Sequence, residues 1–210
     1  MSFYQKFGKR NIDFLFSFLA VLFLWPLFLL IAVLIKIGSP GPVIFRQKRM
    51  GQNGKIFTLY KFRTMVQNAE RLKKKYLALN EADGPVFKIK NDPRYTKFGK
   101  ILSHTSLDEL PQLINILKGE MGFVGPRPFP LEEEEKIILG YQKIRKEVAP
   151  GLTSPWVAAG AKHSNFQKWM ESDVRYSQSV SFKKDLAIIF KTLNFVGKII
   201  LVKEKKKDHE

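Results

Sequence analysis

Residues 105–128 read TSLDELPQLINILKGEMGFVGPRP. Two neighbouring carboxylates, Asp108 and Glu109, stand at a predicted helix start, and apolar residues at helical spacing follow them. Ser106 precedes Glu109 by three positions, which is the spacing of a capping box and by itself accounts for both acids. Pro111 leaves the first residue of the helix undetermined, because a proline has no N–H to donate within a helix. The two acids are therefore either a helix cap or one half of a site.

An arginine between two prolines ends this stretch, in the run Gly125-Pro126-Arg127-Pro128. The prolines restrict the backbone on both sides of Arg127 and so narrow the directions in which its guanidinium can point. A solvated surface arginine gains nothing from that restriction, whereas an arginine that contacts a phosphate does. The stretch thus indicates a nucleophile or metal site at one end and an oriented cation at the other.

The composition indicates an anionic partner. The 210 residues suffice for one domain with a sizeable core, and they carry 36 Lys and Arg against 19 Asp and Glu, a net charge of +17. Nucleic acid, anionic lipid and phosphorylated substrates all suit such a charge. The 18 phenylalanines, many of them in the first 62 residues, favour a membrane over nucleic acid. The chain has no cysteine, which excludes disulfides and thiolate metal sites.

An uncharged apolar run covers residues 14–35 and is long enough to cross a hydrocarbon core of about 30 Å. A single spanning helix is the simplest interpretation. Two features favour a re-entrant helix that enters and leaves by one face. Basic residues flank both ends of the run, and Pro26 removes a backbone hydrogen bond near its middle and predicts a kink. From these residues alone both paths stay open.

Regular elements are predicted on both sides of the central stretch. Residues 43–47 and 55–62 have the pattern of two strands joined by a loop with Asn53-Gly54, which is a hairpin signal. Alternation places Lys61 and Arg63 on one strand face, which is either merely solvated or used to bind phosphate. The other predictions are helices over residues 67–79, 95–104 and 131–147, a short strand over 86–90, a turn at 150–153, and an apolar helix over 186–202 that is either core or interfacial.

The central stretch resembles the bacterial sugar transferase family, the monotopic polyprenyl-phosphate phosphoglycosyl transferases. The matching motifs are SLDELPQL (106–113), VGPRP (124–128), KFRTM (61–65), the passage DGPVFKIKNDPR (83–94) and, near the C-terminus, Asp173, Tyr176, Ser181, Asp185 and Thr192. The resemblance covers roughly residues 9–192. This chain departs from the family where Trp25 stands in place of a frequent serine and Ser154 in place of a frequent glycine.

The resemblance implies an α+β, mainly helical fold in three parts. Residues 1–37 are expected to form a membrane-embedded re-entrant helical hairpin kinked near Pro26. Residues 38–202 are expected to form a cytoplasmic catalytic domain with a small β-hairpin and amphipathic interfacial helices, and residues 203–210 a basic tail. The implied location is the cytoplasmic face of the bacterial inner membrane, against an anionic lipid bilayer.

The resemblance also implies a reaction. A sugar 1-phosphate passes from a UDP-sugar to undecaprenyl phosphate, a polyprenyl phosphate, and UMP leaves; the product initiates bacterial glycan assembly. Nucleic acid is not an expected partner. The sequence fixes neither the sugar nor the oligomeric state, and a homodimer is one of the states that stay open.

The implied site residues divide the chemistry among them. Asp108 is the nucleophile that forms an aspartyl-phosphosugar intermediate, since a free carboxylate is ionised at neutral pH without a helper base. Glu109 acts with it and is the expected ligand of Mg²⁺, which prefers oxygen donors and offsets the repulsion between carboxylate and diphosphate. Arg127, with Lys61 and Arg63, binds substrate phosphates. The competing class is a non-enzymatic, membrane-tethered basic protein that binds anionic lipid or nucleic acid, and it leaves the two acids and the proline-flanked arginine unexplained.

Overall fold

The computed structural model describes residues 4–160 and 165–207, which are mostly helical with two small two-stranded sheets. The helices are α1 (Lys9–Gly38), α2 (Ala69–Lys73), α3 (Lys97–His104), α4 (Gln112–Lys118), α5 (Leu131–Glu134), α6 (Leu139–Arg145), α7 (Pro155–Ala158), α8 (Phe166–Ser177) and α9 (Phe182–Lys207). The strands are β1 (Ile44–Met50), β2 (Ile56–Phe62), β3 (Gly122–Val124) and β4 (Gly151–Thr153). A π-helical turn at Tyr4–Gly8 precedes α1, and 3₁₀ turns lie at Gln52–Gly54, Lys74–Leu79 and Leu107–Glu109. The predicted α+β, mainly helical class is confirmed.

The long helix α1 packs along the rest of the protein from its first turn to its last. Near its start, Arg10 donates to two carbonyls at the C-terminal end of α4. About two turns later the Ser17 hydroxyl donates to the Leu113 carbonyl at 3.2 Å. At the far end Ile35 is buried against Phe62 of β2. The helix therefore lies against the globular part and does not project from it.

Away from this contact α1 exposes large apolar side chains, among them Phe16, Phe23, Trp25, Leu30 and Ile37. Of the helices in the described residues, it is the one long and apolar enough to cross a membrane by length and composition. It continues through Pro26 as a single helix. Because Pro26 has no N–H, the Leu22 carbonyl lacks its helical partner. The kink and the re-entrant path remain predictions.

The β-hairpin forms as predicted. β1 and β2 pair antiparallel from Ile44 opposite Phe62 to Met50 opposite Ile56. The turn contains Asn53 with a φ of 54°, a left-handed conformation that asparagine adopts more readily than most residues. β1 extends to Met50, past the predicted end at residue 47, because its partner strand continues to pair with it.

A side chain of α4 completes the open edge of the hairpin. Asn115 accepts from the Tyr60 N–H at 3.1 Å and donates to the Thr58 carbonyl at 2.7 Å, so two backbone groups of β2 that face away from β1 are satisfied. Phe57 and Leu59 pack with residues of α4 and α1 in the adjoining core. These contacts fix β2 against α4 and hence fix the elements that carry the predicted site.

The parallel pair β3–β4 replaces the turn predicted at residues 150–153. Gly122 lies opposite Gly151, and Val124 lies opposite Thr153. A side chain on Gly151 would collide with the Gly125 backbone, so glycine is required at this close approach. The prediction of a turn was wrong because the pairing partner is distant in sequence.

Other predicted elements are interrupted by side chains that take up backbone groups. The strand over residues 86–90 was wrong: Asn80 accepts from the Lys88 N–H at 2.8 Å and donates to the Val86 carbonyl at 3.1 Å, in place of a neighbouring strand. The helix over 131–147 was wrong at its middle, where Ile137 turns into the core and separates α5 from α6. The helix over 67–79 is α2 followed by a 3₁₀ turn, and α3 confirms the one predicted over 95–104.

The C-terminal helix α9 packs against the core on one side and exposes apolar residues on another, and an interfacial position stays a prediction. Ile188 and Ile189 pack against a core cluster around Val124. Phe190 and Leu193 are exposed. The helix continues through residue 207, so the predicted tail starts as part of α9. The rest of that tail, residues 208–210, and residues 1–3 of the predicted membrane hairpin lie outside the described residues.

Candidate active site

The chain between α3 and α4 presents the two acids. Ser106 adopts a left-handed φ of 58° and its side chain caps no backbone N–H. The 3₁₀ turn Leu107–Glu109 follows, and α4 begins only at Gln112 with Pro111 as its cap. Of the two alternatives left open by the sequence, the helix cap is therefore excluded, because the Ser106 side chain caps no N–H and an N-cap residue typically has an extended backbone. The acids are left available for other contacts.

Two cations from different elements hold Glu109. Its Oε1 accepts from Lys61 Nζ at 2.6 Å and from Arg127 Nη2 at 3.1 Å. Lys61 Nζ also lies 3.9 Å from Asp108 Oδ2. Lys61 belongs to β2, Arg127 follows β3, and the acids precede α4. The structure thus brings together four of the predicted site residues, and we call this group the carboxylate cluster.

Arg63 is not part of the carboxylate cluster. Its Nε, Nη1 and Nη2 donate to the carbonyls of Pro42, Pro40 and Ser39 at 2.6, 2.6 and 2.9 Å. The side chain is buried, with 6% of its surface exposed. Because β2 ends at Phe62, strand alternation no longer places Arg63 beside the lysine two positions earlier. The expectation that the two cations share a face is corrected: Arg63 fixes the turn that follows α1.

The two adjacent acids have opposite pKa shifts. Asp108 is only 7% exposed, and burial, with the negative charge of Glu109, raises the pKa of Asp108 to about 6 against the opposing effect of Lys61. Burial would also raise the pKa of Glu109, but Lys61 and Arg127 outweigh it and lower the pKa to about 2. Glu109 is therefore anionic across the neutral range, and Asp108 is the acid whose charge changes near pH 6.

The carboxylate oxygens of Asp108 and Glu109 suit a hard divalent cation whose remaining ligands come from the substrate. Mg²⁺ is commonly held by one or two carboxylates together with substrate phosphates, and Asp108 and Glu109 supply two adjacent carboxylates. Both hydrogen bonds from the cations fall on Oε1 of Glu109. Across residues 4–160 and 165–207, no group of three or more His, Cys, Asp and Glu residues could hold a metal without such help.

Two arginines that the sequence did not single out contact the loop that carries Arg127. Arg145 Nη2 donates to the Arg127 carbonyl at 2.7 Å, and Arg49 Nη1 donates to the Pro128 carbonyl at 2.9 Å. Asp173, one of the C-terminal matches, was the available signal, since its carboxylate binds Arg145 Nε at 3.0 Å. Without the fold, however, nothing linked an acid in α8 to this loop.

A cavity of about 680 Å³ lies between the α2 segment, the loop before Lys88 and α5. Lys73, Phe87 and Glu133 are among its lining residues, and Lys73 Nζ lies 3.8 Å from Glu133 Oε1. Burial raises the pKa of Glu133, while Lys73, Arg49 and Arg127 oppose that effect.

Comparison with known proteins gives consistent matches. A family model described as bacterial sugar transferase matches residues 4–198. The chain is 38% identical over 190 residues to the exopolysaccharide production protein ExoY of Sinorhizobium fredii (strain NBRC 101917 / NGR234), covering 89% of this chain and 84% of that protein.

Two further relatives are longer than this chain. The chain is 45% identical over 157 residues to galactosyl transferase CpsE of Streptococcus agalactiae serotype III (strain NEM316), covering 74% of this chain and 35% of that protein. It is 38% identical over 201 residues to the UDP-glucose:undecaprenyl-phosphate glucose-1-phosphate transferase of Escherichia coli (strain K12), covering 90% of this chain and 40% of that protein. The chain therefore spans about two fifths or less of the length of these two relatives.

Proposed function

This chain belongs to the bacterial sugar transferase family, and we propose that it transfers a sugar 1-phosphate from a UDP-sugar to undecaprenyl phosphate, with release of UMP. The observation that carries the proposal is the carboxylate cluster. A buried aspartate beside a glutamate held by a lysine and an arginine has the parts needed for attack on a diphosphate. Relatives named as undecaprenyl-phosphate sugar phosphotransferases support the same reaction.

The reaction has two displacements at one phosphorus. In the first, an oxygen of the Asp108 carboxylate attacks the sugar-bearing phosphorus, and the bond to UMP breaks with its electron pair on the leaving UMP. In the second, an oxygen of undecaprenyl phosphate attacks that phosphorus, and the bond to Asp108 breaks to restore the carboxylate. One site thus serves two large substrates in turn.

The neighbours of Asp108 have separate tasks in this scheme. Glu109 holds Lys61 and Arg127 in place, and both cations attract the phosphate oxygens as charge develops on them. Arg127 keeps further N–H donors for a phosphate while Nη2 contacts Glu109. Asp108 and Glu109 are the oxygen donors that would hold Mg²⁺, which would screen the repulsion between Asp108 and the diphosphate. The cavity between the α2 segment and α5 has room for part of the donor.

We propose that the protein works at the cytoplasmic face of the inner membrane. A polyprenyl chain stays in the bilayer, so its phosphate is met at the membrane surface. The exposed apolar side chains of α1 suit insertion into lipid, and the contacts of both ends of α1 with the globular part favour a re-entrant path over a spanning one. The excess of basic residues suits anionic headgroups.

Release of UMP tests the function directly. Purified protein in detergent, given undecaprenyl phosphate and a panel of UDP-glucose, UDP-galactose, UDP-N-acetylglucosamine and UDP-N-acetylgalactosamine, is expected to release UMP with at least one donor. The release is expected to stop on addition of EDTA and to return with excess Mg²⁺. The non-enzymatic alternative, a tethered basic protein, predicts lipid binding without UMP. No UMP from a panel extended to other UDP-sugars would remove the proposal.

The raised pKa of Asp108 predicts the pH dependence of the first displacement. We expect the rate of UMP release from donor alone to rise about tenfold per pH unit below about pH 6 and to level off above it, because only the ionised carboxylate attacks. Lys61→Gln removes a positive charge that lowers the pKa of Asp108. The rate of UMP release by this variant is therefore expected to level off at a higher pH. Leaving out the lipid phosphate excludes its own ionisation from the profile. A rate that stays flat from pH 5 to 7 would contradict the assignment.

A further inference from the structure

The backbone that carries Arg127 is held by its carbonyls. Prolines flank this residue, and a proline has no N–H to donate to a neighbouring strand. The Pro126 carbonyl accepts from the Gly151 N–H at 3.0 Å, the Arg127 carbonyl from Arg145 at 2.7 Å and the Pro128 carbonyl from Arg49 at 2.9 Å. Three successive carbonyls are therefore bound, and two of the three donors are arginine side chains.

Arg145 is fully committed to this arrangement. Its Nε donates to Asp173 at 3.0 Å, its Nη1 to Glu134 at 3.1 Å and its Nη2 to the loop carbonyl. Its guanidinium carbon lies 4.8 Å from the centre of the Phe129 ring, and the side chain is 5% exposed. A guanidinium with all three nitrogens engaged inside the protein is not free to bind substrate. Arg145 therefore acts through the groups that it holds, and its hydrogen bond to the Arg127 carbonyl is the contact that reaches the phosphate-binding residue.

Arg49 holds the other side of the loop at an electrostatic cost. Its buried Nε has no hydrogen-bond partner in the part of the chain that the structure describes. Burial and then the nearby positive charge of Arg127 lower the pKa of Arg49 to about 10. A buried guanidinium nitrogen without a partner lowers stability, so stabilisation alone does not account for Arg49.

We propose that Arg49 and Arg145 are positioning residues that aim the Arg127 side chain at the substrate phosphate by fixing the carbonyls of the loop. The inference rests on the proposed function, because it takes Arg127 as the residue that binds phosphate. Such a device suits a loop that cannot form regular backbone pairing and has to hold a cation to within a fraction of an ångström.

A double-mutant cycle tests the inference. Arg145→Lys and Arg49→Lys are each expected to lower the single-turnover rate of UMP release about ten- to a hundredfold, since a shift of about 1 Å in a positioned group has this effect. In an Arg127→Ala background the same changes are expected to lower the rate less than about twofold, because the residue through which they act is gone. Losses of equal size in both backgrounds would overturn the inference.

The control is Arg10→Lys. Arg10 also donates to backbone carbonyls, but its two acceptors lie at the end of α4 and not in the loop that carries Arg127. It is expected to leave the rate within about twofold. Arg49 lies on β1 and has fewer buried partners than Arg145. If Arg145→Lys does not fold, the Arg49→Lys variant therefore decides the question alone.

Binding of inorganic pyrophosphate separates this inference from the proposed function. Calorimetry on the same variants gives a second cycle that needs no turnover. If the unmodified protein transfers no sugar phosphate, the proposed function fails, but coupling of each arginine to Arg127 in pyrophosphate affinity still supports the positioning role. Additive losses of pyrophosphate affinity would overturn the positioning role even where turnover is normal.

Discussion

Asp108→Asn is expected to lower sugar-phosphate transfer by on the order of 10⁴-fold or more, the scale of loss when a covalent nucleophile is removed. An amide oxygen of the same size and shape has no charge with which to attack phosphorus. The fold is expected to survive the change. Because the pKa of Asp108 is raised in the folded protein from 3.8 to about 6, its ionisation lowers stability progressively between these two pH values, and the full cost is present above about pH 6; asparagine removes that cost. The melting temperature of the variant at pH 7.5 should therefore equal or exceed that of the original protein.

The measurement uses a donor labelled in its sugar phosphate and omits the lipid acceptor. The original protein is expected to release one equivalent of UMP and to keep the label on the protein, whereas Asp108→Asn is expected to do neither. Asp13→Asn is the matched control: Asp13 is also a buried carboxylate, but it lies in α1 beside Lys9. Label on the Asp108→Asn protein, or normal turnover without any labelled protein, would reject the covalent scheme in favour of direct attack by the lipid phosphate.

Local signals in the sequence were sufficient for part of this architecture. The Asn53-Gly54 pair predicts the hairpin because a tight turn needs the left-handed backbone that these residues tolerate. The prolines around Arg127 predict a restrained loop, since proline fixes its own backbone and restricts its neighbour. Both signals depend on a few adjacent residues. The hairpin is confirmed, and the loop is held by three carbonyl contacts.

The remaining features depend on residues far apart in the chain. The choice between a helix cap and a site was open in the sequence, because the left-handed conformation of Ser106 and the contacts of Glu109 with Lys61 and Arg127 are visible only in the fold. Pairing of β3 with β4 depends on two three-residue strands too short to show a pattern. Residues 132–135 are four glutamates at the start of a predicted helix, where acids suit the helix dipole, but Glu134 is buried as a partner of Arg145. Local patterns cannot reveal such partners, because burial makes the pairing necessary and only the fold decides what is buried.

Arg127→Lys is expected to lower the rate of transfer about 10²- to 10³-fold, the usual effect of removing one donor that stabilises transition-state charge. The guanidinium contacts Glu109 through Nη2 at 3.1 Å and keeps donors in the same plane for a phosphate. A lysine ammonium is a single point of charge on a flexible stem, so it can hold Glu109 or follow the phosphate but cannot bridge the two in a fixed geometry. The loss should appear in kcat more than in KM, because charge on the phosphate oxygens develops during the displacement.

Arg46→Lys is the matched control, because Arg46 is an exposed arginine of β1 whose guanidinium carbon lies 6.0 Å from the centre of the Tyr60 ring. It is expected to change kcat less than about twofold. Both variants keep the net charge, so any difference between them measures the shape and position of the cation and not the overall field. If Arg127→Lys instead stays within about threefold of the original rate, Arg127 contributes only charge, and the carbonyl contacts of its loop are then a matter of stability alone.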